Sequence, residues 1–359
     1  MSEYTLSPIF PSDRRAMRQL DQLLEKEGIQ RDGHLDYTAG LFDGDYRLVA
    51  TGSCFGNTLR CMAVDSACQG EGLLNQIVTH LMEYEYERGI LDLFLYTKCS
   101  TALFFKSLGF YEIARVPDRV VFMENRKTGF ASYLEDLKKE TEAQLNTAPE
   151  SLSGRAVQGA VVINANPFTL GHRYLIEEAR KRCGLLHIFV VSEDVSLIPY
   201  KVRRRLVEEG CRGISGLVFH ETKSYMISSS TFPSYFFKDE DTVIRSHGEL
   251  DIAVFVQIAE ALEICCRFAG EEPFSRVTRL YNQVMEEKLP QAGLDFIQIP
   301  RKETDGSPIS ASHVRKLIQE GNTDRIRPLV PESTWKYFAS EEGAETVKRI
   351  REAEEVIHY

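Results

Sequence analysis

Apolar and polar positions follow two different rhythms in the two halves of the chain. In the first half, short β-branched and aromatic runs at residues 37–42, 46–53 and 59–64 are separated by Asp43-Gly44-Asp45 and Gly56-Asn57. Breaks of that kind turn hairpins. A helical spacing at 13–26 precedes them, and Gln69-Gly70-Glu71-Gly72-Leu73-Leu74 opens an amphipathic helix to about residue 88. A strand at 91–97, a helix at 101–108 and strands at 110–116 and 119–124 complete this unit. In the second half, strands expected at 157–163, 187–192, 216–220, 264–268 and 296–299 recur between helices. That alternation predicts a parallel α/β sheet. Between the halves lie a charged helical stretch, 130–145, and a turn-rich connector, 146–154, whose composition suits a linker. The expected organisation is a domain over 1–128, a helical linker over 129–155 and a domain over 156–359.

Composition narrows the function classes. A chain of 359 residues with 43% hydrophobic and 27% charged residues is an ordinary globular protein, long enough for two domains. Its net charge of −10 argues against nucleic acid or an anionic membrane as partner. No window reaches about 18 uninterrupted apolar residues, and Met1-Ser2-Glu3-Tyr4 begins no signal-peptide pattern. Eight cysteines are scattered, with Cys265-Cys266 adjacent and no CxxC pair, so free thiols in a reducing cytoplasm are expected, and no zinc or other metal ligand set.

The chemistry concentrates at two places. The apolar run 160–163 is followed by Asn164-Ala165-Asn166-Pro167-Phe168-Thr169-Leu170-Gly171-His172 and then by helical spacing from Arg173. A strand, a tight turn and a helix start bring open backbone amides and the positive end of a helix dipole to one point, which suits phosphate. Thr169 and His172 are one helical turn apart and can face the same anion, while Gly171 leaves room for its approach. A plain βα turn with a buried histidine fits the same letters. The second place is Ile309-Ser310-Ala311-Ser312-His313-Val314-Arg315, where hydroxyls, amides and a guanidinium gather at another helix start. An ordinary capped helix fits that stretch too.

Together the two stretches resemble the nucleotidylyltransferase signatures HxGH, in its P-x-T-x-G-H form, and I-S-S-T-x-x-R. The resemblance implies ATP as ligand, with Thr169 and His172 at the α-phosphate and Ser310, Ser312 and Arg315 on the β- and γ-phosphates. It extends to Asn164, Asn166 and Gly171 as nucleotide contacts. Thr169 stands where many members carry histidine, and Ala311-Ser312 replaces the usual Ser-Thr pair. In the first half, Gln69-Gly70-Glu71-Gly72 and Ala102-Leu103-Phe104-Phe105-Lys106-Ser107-Leu108-Gly109-Phe110 resemble two motifs of the GNAT acetyltransferase fold, whose glycine turn meets the pyrophosphate of coenzyme A. Leu74 departs from the small residue expected there. The implied fold class is α/β, with an N-terminal GNAT-like α+β domain followed by a Rossmann-like parallel α/β nucleotidylyltransferase domain.

Further candidates lie in the second half. Lys201, in Tyr200-Lys201-Val202-Arg203-Arg204-Arg205, suits a triphosphate tail. Gly270 and Glu272, after an apolar strand, are placed to meet a ribose or adenine edge, although a simple βα turn also explains them. Ser228-Ser229-Ser230-Thr231-Phe232-Pro233-Ser234-Tyr235-Phe236 is a hydroxyl-rich loop. With Ile299-Pro300-Arg301-Lys302-Glu303, these segments resemble the citrate lyase ligase family over nearly the whole chain. The resemblance implies activation of acetate as acetyl-adenylate with loss of pyrophosphate, Mg²⁺ bound through the phosphates. It also implies acetylation of the prosthetic-group thiol on the citrate lyase acyl carrier protein. Lys138-Lys139 and Arg203–Arg205 are candidate docking cations for an acidic carrier. Alternatives stay open: adenylyl transfer to phosphopantetheine or nicotinamide mononucleotide, amine acetylation, or nucleotide sensing without turnover.

Overall fold

A computed structural model of the chain describes residues 4–146, 157–192, 196–226, 232, 239–272, 275–304 and 306–353. The connector at 147–154, most of the hydroxyl-rich loop at 228–236, and Pro273 and Phe274 lie outside the described residues. The chain divides into two compact units, Met1–Ala131 with Thr231–Ala253, and Ser132–Ser230 with Val254–Tyr359.

The first unit runs β1 (Thr5–Pro8), α1 (Arg14–Lys26), β2 (Tyr37–Phe42), β3 (Leu48–Phe55), β4 (Thr58–Val64), α2 (Leu73–Glu87), β5 (Phe94–Thr97), α3 (Ala102–Ser107), β6 (Tyr111–Val116) and β7 (Val120–Glu124). Its strands form one mixed sheet in the order β1-β2-β3-β4-β5-β7-β6. Only β1 had no counterpart in the pattern. Strands β4 and β5 are parallel and pair at just two positions, Thr58 with Phe94 and Leu59 with Leu95. Beyond that point the remaining residues of β5 pair only with β7. Helix α2 buries Leu73, Ile77, Val78 and Leu81 against one face, and a Cβ at Gly52 would stand 2.5 Å from Ile77, so β3 needs glycine to admit the helix. On the other face α1 buries Leu20, Leu23 and Leu24 against Leu48, Cys61 and Ala63.

Residues 231–253 come late in the sequence yet fall with this unit. Phe232 meets Tyr96 edge-on with ring centroids 6.0 Å apart and lies 5.0 Å from His247. Tyr96 in turn stacks on Phe122, and Arg119 pairs with Glu249 at 3.1 Å.

The second unit takes in most of α4 (Gly129–Asn146), then β8 (Gln158–Ile163), α5 (Leu170–Arg180), β9 (Leu185–Val190), α6 (Tyr200–Gly210) and β10 (Leu217–Glu221). Helix α7 (Glu240–Ala261) leads back into it, followed by β11 (Cys266–Gly270), α8 (Arg276–Lys288) and β12 (Asp295–Ile299). A two-residue hairpin, β13 (Glu303–Thr304) and β14 (Ser307–Pro308), precedes α9 (Ala311–Gln319), α10 (Glu332–Ala339) and α11 (Glu341–Glu352). All five long strands are parallel, in the order β10-β9-β8-β11-β12, as the alternation predicted. A Cβ at Gly159 would lie 2.6 Å from the Phe268 ring, so glycine lets that ring lie across β8. Helix α4, expected as a linker, is packed into this unit: Tyr133 and Leu137 are buried, and the Gln144 side chain both donates to and accepts from the Phe219 backbone at 3.1 and 3.0 Å. No helix among the described residues is long and apolar enough to cross a membrane, and all eight cysteines are free.

Candidate active site

In an open parallel sheet a ligand crevice opens at the strand C-termini where the winding direction reverses. Here that point lies between β8 and β11, and the first signature follows β8 directly. Ala165 in this turn holds φ at +52°, a left-handed conformation that non-glycine residues adopt at a cost of about 1 kcal/mol or more. Thr169 is the N-cap of α5, and the helix start is built reciprocally. The His172 N–H donates to Thr169 Oγ1 at 3.3 Å, the Thr169 N–H donates to His172 Nδ1 at 3.2 Å, and the two side chains meet at 2.9 Å. This is a capping box in which an imidazole takes the place usually held by Glu or Gln. Thr169 is 1% exposed. Its hydroxyl is therefore spent on the cap and on aiming the ring, where the sequence had suggested that it would face the anion beside His172.

The same bonds fix the protonation state of His172. Burial, then the charges of Arg301 and Arg315, push the imidazole down to about 4, so it is neutral at pH 7. Because Nδ1 accepts the Thr169 N–H, the single ring proton is on Nε2. The ring offers a neutral N–H donor, not a cation. Next to it, Leu170 and Gly171 occupy the first helical positions, whose amides have no helical acceptor.

The second signature meets the first. Ser310 caps α9 by accepting the His313 N–H at 3.1 Å, and it shares a 3.1 Å bond with Ser312. Arg315, 2% exposed, donates to the carbonyl of Asn166, and burial lowers its guanidinium to about 10, still protonated at neutral pH. A Cβ at Gly171 would come 2.8 Å from the Ile309 carbonyl. Glycine there admits the second segment to the start of α5. Thr334 adds a third tie, donating to the Phe168 carbonyl at 3.1 Å.

Other candidates sit differently from their sequence reading. Arg203 is fully buried and donates to the carbonyls of Ile198, Asn164 and Val191 at 3.0, 2.7 and 2.8 Å. It fastens the ends of β8 and β9 to α6 and cannot serve as a docking cation. The same guanidinium holds Asn164 Oδ1 at 2.8 Å. Arg205 pairs with Glu342 at 2.7 Å. The Oδ1 of Asn166 accepts the Ile198 N–H, while its buried Nδ2 has no partner among the described residues. Lys201 is exposed on the first turn of α6. Glu272, expected near a ribose or adenine edge, pairs with Arg301 and accepts the Ser275 N–H at 3.1 Å. Gly270 ends β11, and its carbonyl accepts from Asn282. In the first unit, Gln69, Gly70 and Gly72 are exposed. Gly70 and Gly72 take φ of +89° and +76°, and α2 has no side-chain cap, so the amides at its start stay open. Sequence reasoning read Arg203 as a docking cation and gave Arg301 no individual role, because Asn164 and Glu272, which they hold, lie 39 and 29 residues away along the chain.

Among the described residues no group of three or more His, Cys, Asp or Glu is placed to hold a metal.

Fold and site define a class: an α+β unit on a seven-stranded mixed sheet joined to a Rossmann-like parallel α/β unit in which two helix starts meet. Residues 158–338 match the family described as citrate lyase ligase C-terminal domain. The chain is 37% identical over 331 residues to the citrate (pro-3S)-lyase ligase of Klebsiella pneumoniae, covering 91% of this chain and 93% of that one. It is likewise 37% identical to the enzyme of the same name from Escherichia coli strain K12, over 91% of each chain. Among solved structures, a GNAT-family acetyltransferase from Staphylococcus aureus matches 34% of this chain and 100% of that one, at 15% identity and a TM-score of 0.29. The chain belongs to the citrate lyase ligase family and is an enzyme of that ligase class.

Proposed function

We propose that the protein activates citrate lyase by ATP-dependent acetylation, making acetyl-adenylate in the second unit and passing the acetyl group to a prosthetic-group thiol on the lyase's acyl carrier protein. The observation that carries this reading is the convergence of the two signatures. Arg315 ties α9 to the Asn166 carbonyl, and the Ile309 carbonyl abuts Gly171, which brings the start of α9 against the start of α5. Supporting it are the amides at the start of α5, the Asn166 Nδ2 that has no partner among the described residues, and the solvent-facing Lys201.

Short carboxylic acids ionise well below pH 7, so acetate needs no general base. A carboxylate oxygen attacks the α-phosphorus, the bond to the β-bridging oxygen breaks, and pyrophosphate leaves with that electron pair. Catalysis of such a step is mostly position and electrostatics. His172 Nε2–H and the α5 amides donate to the α-phosphate oxygens, and Ser312 and Lys201 receive the departing pyrophosphate. The described residues offer no cage for Mg²⁺. It would arrive on phosphate oxygens and supply charge neutralisation there. In the second half-reaction the carrier thiolate attacks the acetyl carbonyl and AMP departs. A pantetheine-type thiol titrates near about 8.5, so a minority is thiolate at neutral pH.

The test is pyrophosphate release with ATP and a panel of short carboxylates, with and without a thiol-bearing carrier. Acetate-dependent release is expected. Release stimulated instead by phosphopantetheine or nicotinamide mononucleotide would overturn the reading in favour of a coenzyme adenylyltransferase.

A further inference from the structure

The charge at the crevice raises a question that the signatures leave open. His172 is neutral and Arg315 is buried against backbone, yet an α-phosphate under attack gains negative charge. Any protein cation that reaches this point has to come from outside these two side chains.

Arg301 follows β12, the edge strand beside β11. Its Nε donates to the Glu271 carbonyl at 2.6 Å and its Nη2 to Glu272. Glu272 is itself 9% exposed and is held by the Ser275 N–H. Two anchors thus fix the plane of the guanidinium, and its Nη1 has no partner among the described residues. The neighbouring Lys302 carbonyl accepts the Ile309 N–H at 3.0 Å, and the Ile309 carbonyl abuts Gly171. Arg301 is therefore one residue from the base of the hairpin that touches the start of α5. Its field reaches His172: among charged neighbours it is the strongest influence lowering that imidazole, ahead of Arg315.

Resting on the adenylyl-transfer reading above, we propose that Arg301 is a catalytic residue whose free Nη1 contacts the α-phosphate beside the His172 Nε2–H, and that Glu272 is the positioning residue that aims it. The guanidinium then supplies at the reacting phosphate the charge that the imidazole lacks. A charge-assisted bond to a phosphate oxygen contributes about tenfold to a hundredfold in binding.

AMP carries the α-phosphate alone, and adenosine lacks it, so their binding isolates the contact from any acid substrate. In the full-length protein, calorimetry on Arg301→Gln should show AMP weakened at least tenfold with adenosine unchanged, and acetate-dependent turnover should fall at least as far. Arg301→Lys, which keeps the charge without the two-point anchor, should recover part of both. Glu272→Gln should lower turnover while leaving adenosine binding intact. NMR titration of His172 should show its imidazole rising toward 6.5 in Arg301→Gln. Unchanged AMP binding in both Arg301 variants would overturn the assignment, as would an effect confined to the KM for acetate. If the wild-type protein releases no pyrophosphate with any acid, the functional reading fails, and the AMP–adenosine comparison still decides the role of Arg301.

Discussion

Each unit contains a strand, a tight turn and a helix start, and the two are built on opposite plans. At Gly72 the turn is backbone only: positive φ, exposure to solvent and no side-chain cap on α2. At Thr169 the turn is buried, reciprocally capped, and tied down by Arg315 and Thr334. An open nest of amides accepts a phosphate by shape and tolerates change in the side chains around it. A turn that orients an imidazole to within a narrow cone depends on every bond that holds it. On the functional proposal above, the first turn would seat a carrier arm and the second would hold the reaction centre.

The sharpest way to break that contrast is at His172. His172→Ala should cut acetate-dependent pyrophosphate release by about 100-fold or more, the loss expected on removing a transition-state donor. Near-normal turnover in steady-state assays would remove the ring from the chemistry. Thr169→Val should come next. It removes the cap, about 1 kcal/mol of stability, and leaves the ring loosely aimed, so turnover should drop roughly tenfold with a modest fall in Tm. A full rate with a lowered Tm would mean that Thr169 caps and does nothing more.

Gly72→Val probes the other turn. No atom lies within 4 Å of a Cβ there, but φ is +76°, so the penalty is conformational, about 1–2 kcal/mol. Acetyl transfer to a thiol should weaken severalfold while pyrophosphate release in its absence is spared. Equal loss of both would show that the two turns do not divide the labour.

The smallest effect concerns pH. Burial pushes His172 down to about 4 and His187 to about 3, and it also lowers His220. All three belong to the second unit. Within it, His187 lies between Gln158 at 2.8 Å and His220 at 2.9 Å, and His220 meets Glu140 at 2.9 Å. The unfolded chain protonates these rings near 6.5, whereas the native chain protonates His172 only at about 4, His187 at about 3, and His220 below its ordinary value. Between those values the unfolded state binds more protons, so the stability present above pH 6.5 is lost as pH falls toward 4. Thermal scans should show Tm falling over that window, with a smaller fall in His187→Gln. A Tm flat from pH 7 to 4.5 would contradict the buried neutral rings.

Much of this was legible in the sequence, because it is written locally. Strand runs, hairpin breaks and the parallel alternation depend on neighbours a few residues apart, and both signatures are contiguous. What escaped depends on distance. Arg203 reads as one of three surface cations until β8 and β9 close around it. Glu272 reads as a ribose contact until Arg301, 29 residues on, returns to claim it. Residues 231–253 carry no sign in their composition that Phe232 will pack on Tyr96. Helix α4 has a linker's charge, and only its buried Tyr133 and Leu137 reveal that it is part of a core.

The cap of α5 has a consequence for how activity is acquired. Because the imidazole is itself part of the bond pattern that begins the helix, winding the first turn and orienting the ring are one event. A chain in which that turn has formed carries the ring already aimed, and one in which it has not lacks both the helix start and the aimed ring.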